Sequence, residues 1–210
     1  MTRTLASYLL LAPIACLVSA PATQAASYDI DGSHTSVVFS VSHLGFSYTY
    51  GMFRKAGGTF EFDRTNPAAS KFSFIVDVAS IDTNDPKRDE HLRSADFFNV
   101  KQFPQLTFVS TKVEKVVAAG SGTSGAAAAG SGSKGKEIYN ITGTMTLHGV
   151  SKQVTLPMQY LGEGTGPYGK YRLGFICQTV FKRSDFGMAF MNGPVGDQVG
   201  VSLSFEGIRK

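Results

Sequence analysis

The side chains best equipped for chemistry crowd into one stretch, Asp85 to Phe98, which reads DPKRDEHLRSADFF. Nine of these fourteen residues are Asp, Glu, Lys, Arg, His or Ser, in a chain with only 17% charged residues. A helical metal site needs two or three ligands on one face, at spacings such as H-x-x-x-H or E-x-x-H. Asp89 and His91 are two apart and diverge, so no metal site is read here. Acyl transfer needs a nucleophile beside a base, and the chain has no G-x-S-x-G elbow. His34, His43, His91 and His148 lie on separate segments, and Asp82 and Asp85 flank a turn, where capping is the commoner role of a carboxylate. Gly130 to Lys136 begins like a phosphate-binding loop, but Glu137 stands where Ser or Thr is required. Asn140-Ile141-Thr142 matches a glycosylation sequon inside a predicted strand, where it reads as chance. No catalytic residue and no cofactor is assigned.

The stretch therefore reads as scaffold. Asp85 is an N-cap and Pro86 occupies the first helical position, so a short helix runs to about Ser94. Asp89 and Arg93, four apart, are expected to pair on its outer side. Leu92, Phe97 and Phe98 point inward.

The rest of the chain alternates with period two. VVFSVSH, TFEFD, KFSFIVDV, LTFVSTKV, YNITGTMTLHG, QVTLPMQY, YRLGFICQTVFK and VGVSLSFEG each place apolar residues on one face and polar ones on the other. Eight mostly antiparallel strands must hide that face in a sandwich or a closed barrel, and only closure removes the edges. At eight strands the interior is about wide enough for packed side chains or one small ligand. Glycines inside strands, at Gly143 and Gly174, mark bends or close backbone approach.

Residues 1–25 have the layout of a secretory signal peptide: one positive charge, an apolar run and a small-residue cut site after Ala25. Residues 26–210 form one domain, with residues 118–136 a flexible Ala/Gly/Ser-rich surface loop. Loss of Arg3 with the leader lowers the formal charge from +4 to +3. No Lys/Arg cluster accompanies that excess, so nucleic acid is not a partner, while an anionic ligand or transient contact with a membrane surface is weakly favoured. Cys16 leaves with the leader, and Cys177, mid-strand on an apolar face, is a structural thiol with no disulfide partner. The chain is placed in the periplasm or outside the cell.

GSHTSVVFSVSHLG, SIDTNDPKRDEHLRSADFF, FPQLTF, GTMTLHGVSK and RSDFGM together resemble the YceI-like family of polyisoprenoid-binding, lipocalin-like exported proteins, from Tyr28 to about Glu206. The resemblance implies an all-β, eight-stranded antiparallel lipocalin-like barrel with a short helix covering one end, an elongated apolar cavity and no catalytic activity. It implies a long-chain lipid ligand (polyisoprenoid, polyprenyl phosphate or quinone) and, in some members, a homodimer. The Ala/Gly/Ser insertion departs from the family pattern.

Lipid sequestration would rest on burial at roughly 25 cal/mol per Å², so about 300 Å² of ligand supplies some 7 kcal/mol before ordering costs. The lining is assigned to Phe39, Val41, Phe60, Phe74, Val76, Phe108, Met145, Leu147, Phe175 and Phe181. Met52 and Met188 add adaptable wall. His43 and Phe46 stand at a strand end near a head group. Each is equally open to ordinary core packing or, for His43, a structural hydrogen bond. Arg88, Asp89, His91, Arg183 and Asp185 are read as one structural polar network, and Lys182 and Arg183 as weaker candidates for a phosphate contact. Two alternatives remain: a ligand-free structural or stress-interaction protein with a filled barrel, and an exported hydrolase in which His148 or His91 converges with a Ser and an acid.

Overall fold

The structure, a computed structural model, describes residues 25–116 and 137–210. The remainder of the assigned leader and the loop assigned to 118–136 lie outside the described residues. Three staves of the sheet are interrupted. β1 (Ala26–Ile30) and β2 (Ser36–His43) run in line along β11 (Val195–Arg209). Beside them run β3 (Ser47–Phe53) and β4 (Ala56–Phe62), then β5 (Lys71–Asp77) and the two-residue β6 (Ile81–Asp82). The continuous staves are β7 (Gln105–Val116), β8 (Glu137–Leu147), β9 (Val150–Thr165) and β10 (Tyr171–Lys182). Every pairing is antiparallel, and β1 bonds both β4 and β11. The sheet thus closes as an eight-staved barrel, as the family resemblance led one to expect, and the sandwich that the periodicity had left open is not formed.

The alternation did not reveal β3. Its inward positions include Thr49 and Gly51, with Phe53 only at its end, while Tyr48 and Tyr50 face out, paired with Ser42 and Ser40. The polarity is inverted, so the period-two signal fails. The break between β1 and β2 is a 3-10 turn, Gly32–His34. Asp31 locks it, accepting from the Ser33 amide (3.0 Å) and hydroxyl (2.6 Å), from His34 (2.9 Å) and from Arg172 (2.6 Å). These bonds, Ser33's foremost, hold the Asp31 carboxyl well below the usual carboxylate range.

The sixteen phenylalanines and the strand glycines explain each other. A Cβ at Gly51 would overlap the Phe39 ring, one at Gly207 the Phe60 ring, and one at Gly143 the Phe108 ring and the Val109 carbonyl. Each ring lies across a neighbouring strand and fills the space a glycine leaves, so bulky side chains are packed without widening the barrel.

The barrel is filled at one end. Phe175, fully buried, sits at the centre of six rings: Phe60, Phe62, Phe72, Tyr139, Tyr160 and Phe205, with centroids 5.1–6.5 Å away. Most of these contacts are edge-to-face, the arrangement the ring quadrupole favours. A polar seal closes this end. Arg64 donates Nε to Glu137 (3.0 Å), the Tyr139 hydroxyl donates to the same carboxylate (2.9 Å), and Lys115 Nζ lies 3.2 Å from it.

The Arg64 bonds, then those of Tyr139 and Lys115, pull the Glu137 carboxyl down to about 2, from an ordinary value of 4.5. A carboxylate depressed in the folded state contributes stability above its unfolded value and loses it as pH falls towards the folded one. Glu137 therefore stabilises the barrel fully above about pH 4.5 and progressively less down to about pH 2. Urea titrations across that window should show Glu137→Gln flattening the acid-side slope and costing about 1 kcal/mol at neutral pH. An unchanged slope would place the acid sensitivity elsewhere.

The other end is covered by α1 (Pro86–Arg93). Asp85 caps it, accepting from the amides of Lys87 (3.0 Å) and Arg88 (3.1 Å). The expected outer pair of Asp89 and Arg93 does not form. Asp89 turns inward and is buried, accepting from the Thr83 amide (2.9 Å) and hydroxyl (2.6 Å). Arg93 instead donates to the carbonyls of Ala79 and Ile81, both at 2.8 Å. The free donors before the helix and the free carbonyls of the third stave compete better for these side chains than they do for each other.

Candidate functional site

Between the aromatic plug and the α1 end lies a cavity of about 200 Å³. β2, β10 and β11 supply one wall through Phe39, Thr179 and Val201, which stand in register on adjacent strands. β5, β7 and β8 supply the opposite wall through Phe74, Phe108 and Met145. Leu92, Phe97 and Phe98 close it from the helix side, and Phe186 and Met188 from the β10–β11 connection. Among the lining residues only Thr179, Lys182 and Arg183 carry polar side chains. A cavity of about 150 Å³ lined by Leu, Ile and Phe stays dry and holds a benzene-sized guest. This one is larger but below the roughly 300–1,000 Å³ of sites that enclose drug-sized ligands. It suits a slender apolar chain.

Nine of the fourteen residues assigned to the ligand line this cavity: Phe39, Val41, Phe74, Val76, Phe108, Met145, Leu147, Phe181 and Met188. Five do not. Phe60 and Phe175 belong to the plug, which excludes a ligand from that end. Met52 pairs with Val38 on the outer face. His43 and Phe46 are exposed at the β2–β3 turn, away from the lining. The wall also includes Val199, Val201 and Leu203 of β11, which the alternation had placed on an apolar face without marking them as lining. Cys177 lines it too, and burial pushes its thiol up to about 12, so it stays protonated at neutral pH.

The single polar network expected from Arg88, Asp89, His91, Arg183 and Asp185 is four separate arrangements. Arg88 and Asp89 converge on Thr83, with Arg88 donating Nε to its hydroxyl (2.7 Å) and Nη2 to its carbonyl (2.6 Å). His91 bonds Asp96 (2.9 Å) and packs edge-on against Phe97 and Phe190. Asp185 pairs with Lys152 at the surface (3.2 Å). Arg183, like Asp89, is buried. It donates to four carbonyls, those of Gly196 (2.9 Å), Met188 (2.7 Å), Phe190 (2.8 Å) and Val195 (2.9 Å). The guanidinium thereby shapes the whole connection between β10 and β11, and four of its five N–H groups are committed to that task. Arg183→Met should remove about 2–3 kcal/mol of stability, because it strands buried carbonyls. A chemical-denaturation midpoint unchanged by the substitution would contradict that role.

Neither His34 nor His148 bridges a serine and a carboxylate through its two ring nitrogens. A triad uses both imidazole nitrogens, one on the nucleophile and one on the acid. At His34 one atom, Nδ1, faces both the Ser33 hydroxyl (3.1 Å) and Asp31 (2.9 Å), while Ser33 donates directly to Asp31. His148 Nδ1 is engaged by the Phe186 carbonyl (3.1 Å). Among the described residues no three His, Cys, Asp or Glu side chains are grouped to hold a metal.

Comparison with known proteins gives a consistent answer. Residues 28–207 match the YceI-like domain. The chain is 40% identical over 196 residues to the protein YceI of Escherichia coli, covering 92% of this chain and 93% of that one. The crystal structure of BcnA from Burkholderia cenocepacia superposes with a TM-score of 0.68 at 25% identity, over 85% of this chain and 99% of that one. A polyisoprenoid-binding domain from Saccharophagus degradans, implicated in plant cell wall breakdown, has a TM-score of 0.63 at 14% identity, over 88% and 99% of the two chains.

Proposed function

The chain belongs to the YceI-like family, and from that premise we propose that it holds a long-chain apolar lipid, of polyisoprenoid or quinone type, in the half-barrel cavity without acting on it chemically. The observation that carries this reading is the cavity wall itself, apolar at almost every position although it lies within reach of bulk water. A wall without polar handles selects a cargo without them, and holds it by removing apolar surface from water. The Saccharophagus degradans domain is a binder of the same chemical class.

The plug makes the reading more specific. Phe175 and its neighbours block one end, so the cargo enters at the other, past the cover that α1 and the β10–β11 connection form there, and threads in to a fixed depth. At about 200 Å³ the cavity takes part of a long chain rather than all of it. The rest stays at that covered end, together with any head group. Export by a cleaved leader would place this carrier where loose lipid must cross water between membranes. The reading is tested by organic extraction and mass spectrometry of the protein purified from its native host. A stoichiometric long-chain lipid is expected, and a repeatedly clean extract would favour the filled-barrel structural protein instead.

A further inference from the structure

We propose that the α1-covered end of the barrel docks on a lipid bilayer through a rim built from the β2–β3 turn and the β10–β11 connection. This rests on the reading that the cavity takes a lipid, and names the surface across which that lipid is exchanged.

The rim concentrates large apolar side chains in solvent. Phe46 is 89% exposed, Leu44 49% and Met191 44%, with Phe190 beside them. The two segments are one surface: the Leu44 amide donates to the Pro194 carbonyl (2.7 Å), and Val195 stands opposite His43. Such a patch on an exported barrel marks a contact surface rather than stray exposure.

The backbone points the same way. Leu44 (φ 54°) and Gly45 (φ 72°) form a turn closed by the Phe46 amide on the His43 carbonyl (3.0 Å). Two consecutive positive-φ residues are the pattern of a turn for which Asn-Gly is the preferred sequence. Met191 is also left-handed, at φ 51°. Both large apolar residues thus occupy a conformation that disfavours them, and neither is buried in exchange. A bulky residue strained in this way, with no burial in return, points to a role for its side chain outside the fold.

Continuity with the cavity identifies the occupant. Met188 and Val195 line the cavity at the two ends of the connection that carries Phe190 and Met191. The Phe190 ring lies 5.4 Å from that of Phe97, itself a lining residue. An apolar path therefore runs from the cavity wall to the exposed rim, along which a lipid chain moves between bilayer and barrel without facing water. Tyr48 and Tyr50, on the outer wall just above the turn, have the apolar body and polar tip of residues that settle at a membrane interface. Of the polar groups nearby, Lys152 pairs with Asp185, His91 bonds Asp96, and Lys182 stands exposed at the cavity mouth. Large exposed apolar side chains dominate the rim, so docking is mainly apolar in origin and largely tolerates salt.

The test is flotation of the mature chain with vesicles of phosphatidylethanolamine and phosphatidylglycerol. The wild type should float, at low and high salt alike. Leu44→Asn combined with Phe46→Ser should lower partitioning at least tenfold, with a melting temperature unchanged or raised. Tyr168→Ser removes an aromatic that is 92% exposed in the β9–β10 turn, at the other end, and should change nothing. A double variant that floats like the wild type overturns the proposal. So does equal loss in Tyr168→Ser, strong reversal by salt, or a double variant that alters only self-association, which would assign the rim to a second copy. Extracted lipid separates this from the reading beneath it. A lipid-loaded protein that ignores vesicles removes the docking surface alone, whereas an empty one that still floats keeps the surface and removes the carrier.

Discussion

Phe175→Ala should lower the unfolding free energy by about 3–5 kcal/mol, the cost of emptying an aromatic site whose neighbours cannot collapse onto it. Phe39→Ala, in the cavity wall, should cost no more than about 1.5 kcal/mol. Both positions are inward-facing phenylalanines on long strands, and the alternation cannot tell them apart. The difference lies in what surrounds them. Phe175 is fully buried and ringed by six aromatic side chains, each held in turn by others. Phe39 is half-buried, meets Phe53 at 5.6 Å and looks onto open space. Removing the first leaves an enclosed void; removing the second enlarges an existing one. Chemical denaturation of the two variants under the same conditions measures the contrast. Equal losses would show that the barrel is not divided into a plug and a receptacle.

Val201→Trp should abolish retention of an apolar ligand, by at least tenfold, with little loss of stability. Val201 sits mid-wall between Thr179 and Phe39 and points into the cavity. An indole there occupies much of a space of about 200 Å³ and supplies its own apolar surface in place of the ligand's. Displacement of a bound apolar fluorophore provides the measurement, with thermal unfolding recorded alongside. Thr179→Phe approaches the same volume from the neighbouring strand and guards against a local packing failure. If both fold and still bind at full strength, the ligand lies elsewhere.

Much of this architecture was legible in the residues. Period-two alternation implied the staves, and Asp85-Pro86 implied the helix start, because both signals are local. The site was legible only in part. Alternation says that Phe60 and Phe74 face inward, but not at what height along the barrel each one lies. Height depends on the stagger of paired strands, which is fixed when β1 bonds β11 across nearly the whole chain. Phe60 consequently fell into the plug while Phe74 lines the cavity. Arg183 was misread for a different reason. Its partners are backbone carbonyls, which any residue can present, so no side-chain pattern in the sequence marks them. The β3 stave escaped notice because Tyr48 and Tyr50 face outward while Thr49 and Gly51 face in, leaving Phe53 alone among its aromatics on the inner face, and that inversion is itself the mark of the surface proposed to meet a membrane.

The most direct measurement is mass spectrometry of an organic extract from the protein purified from its native host, with Val201→Trp purified in parallel. The account requires a long-chain apolar lipid near one equivalent in the wild type and its absence from the variant. A clean wild-type extract after mild, detergent-free purification, or equal lipid in both proteins, would contradict it.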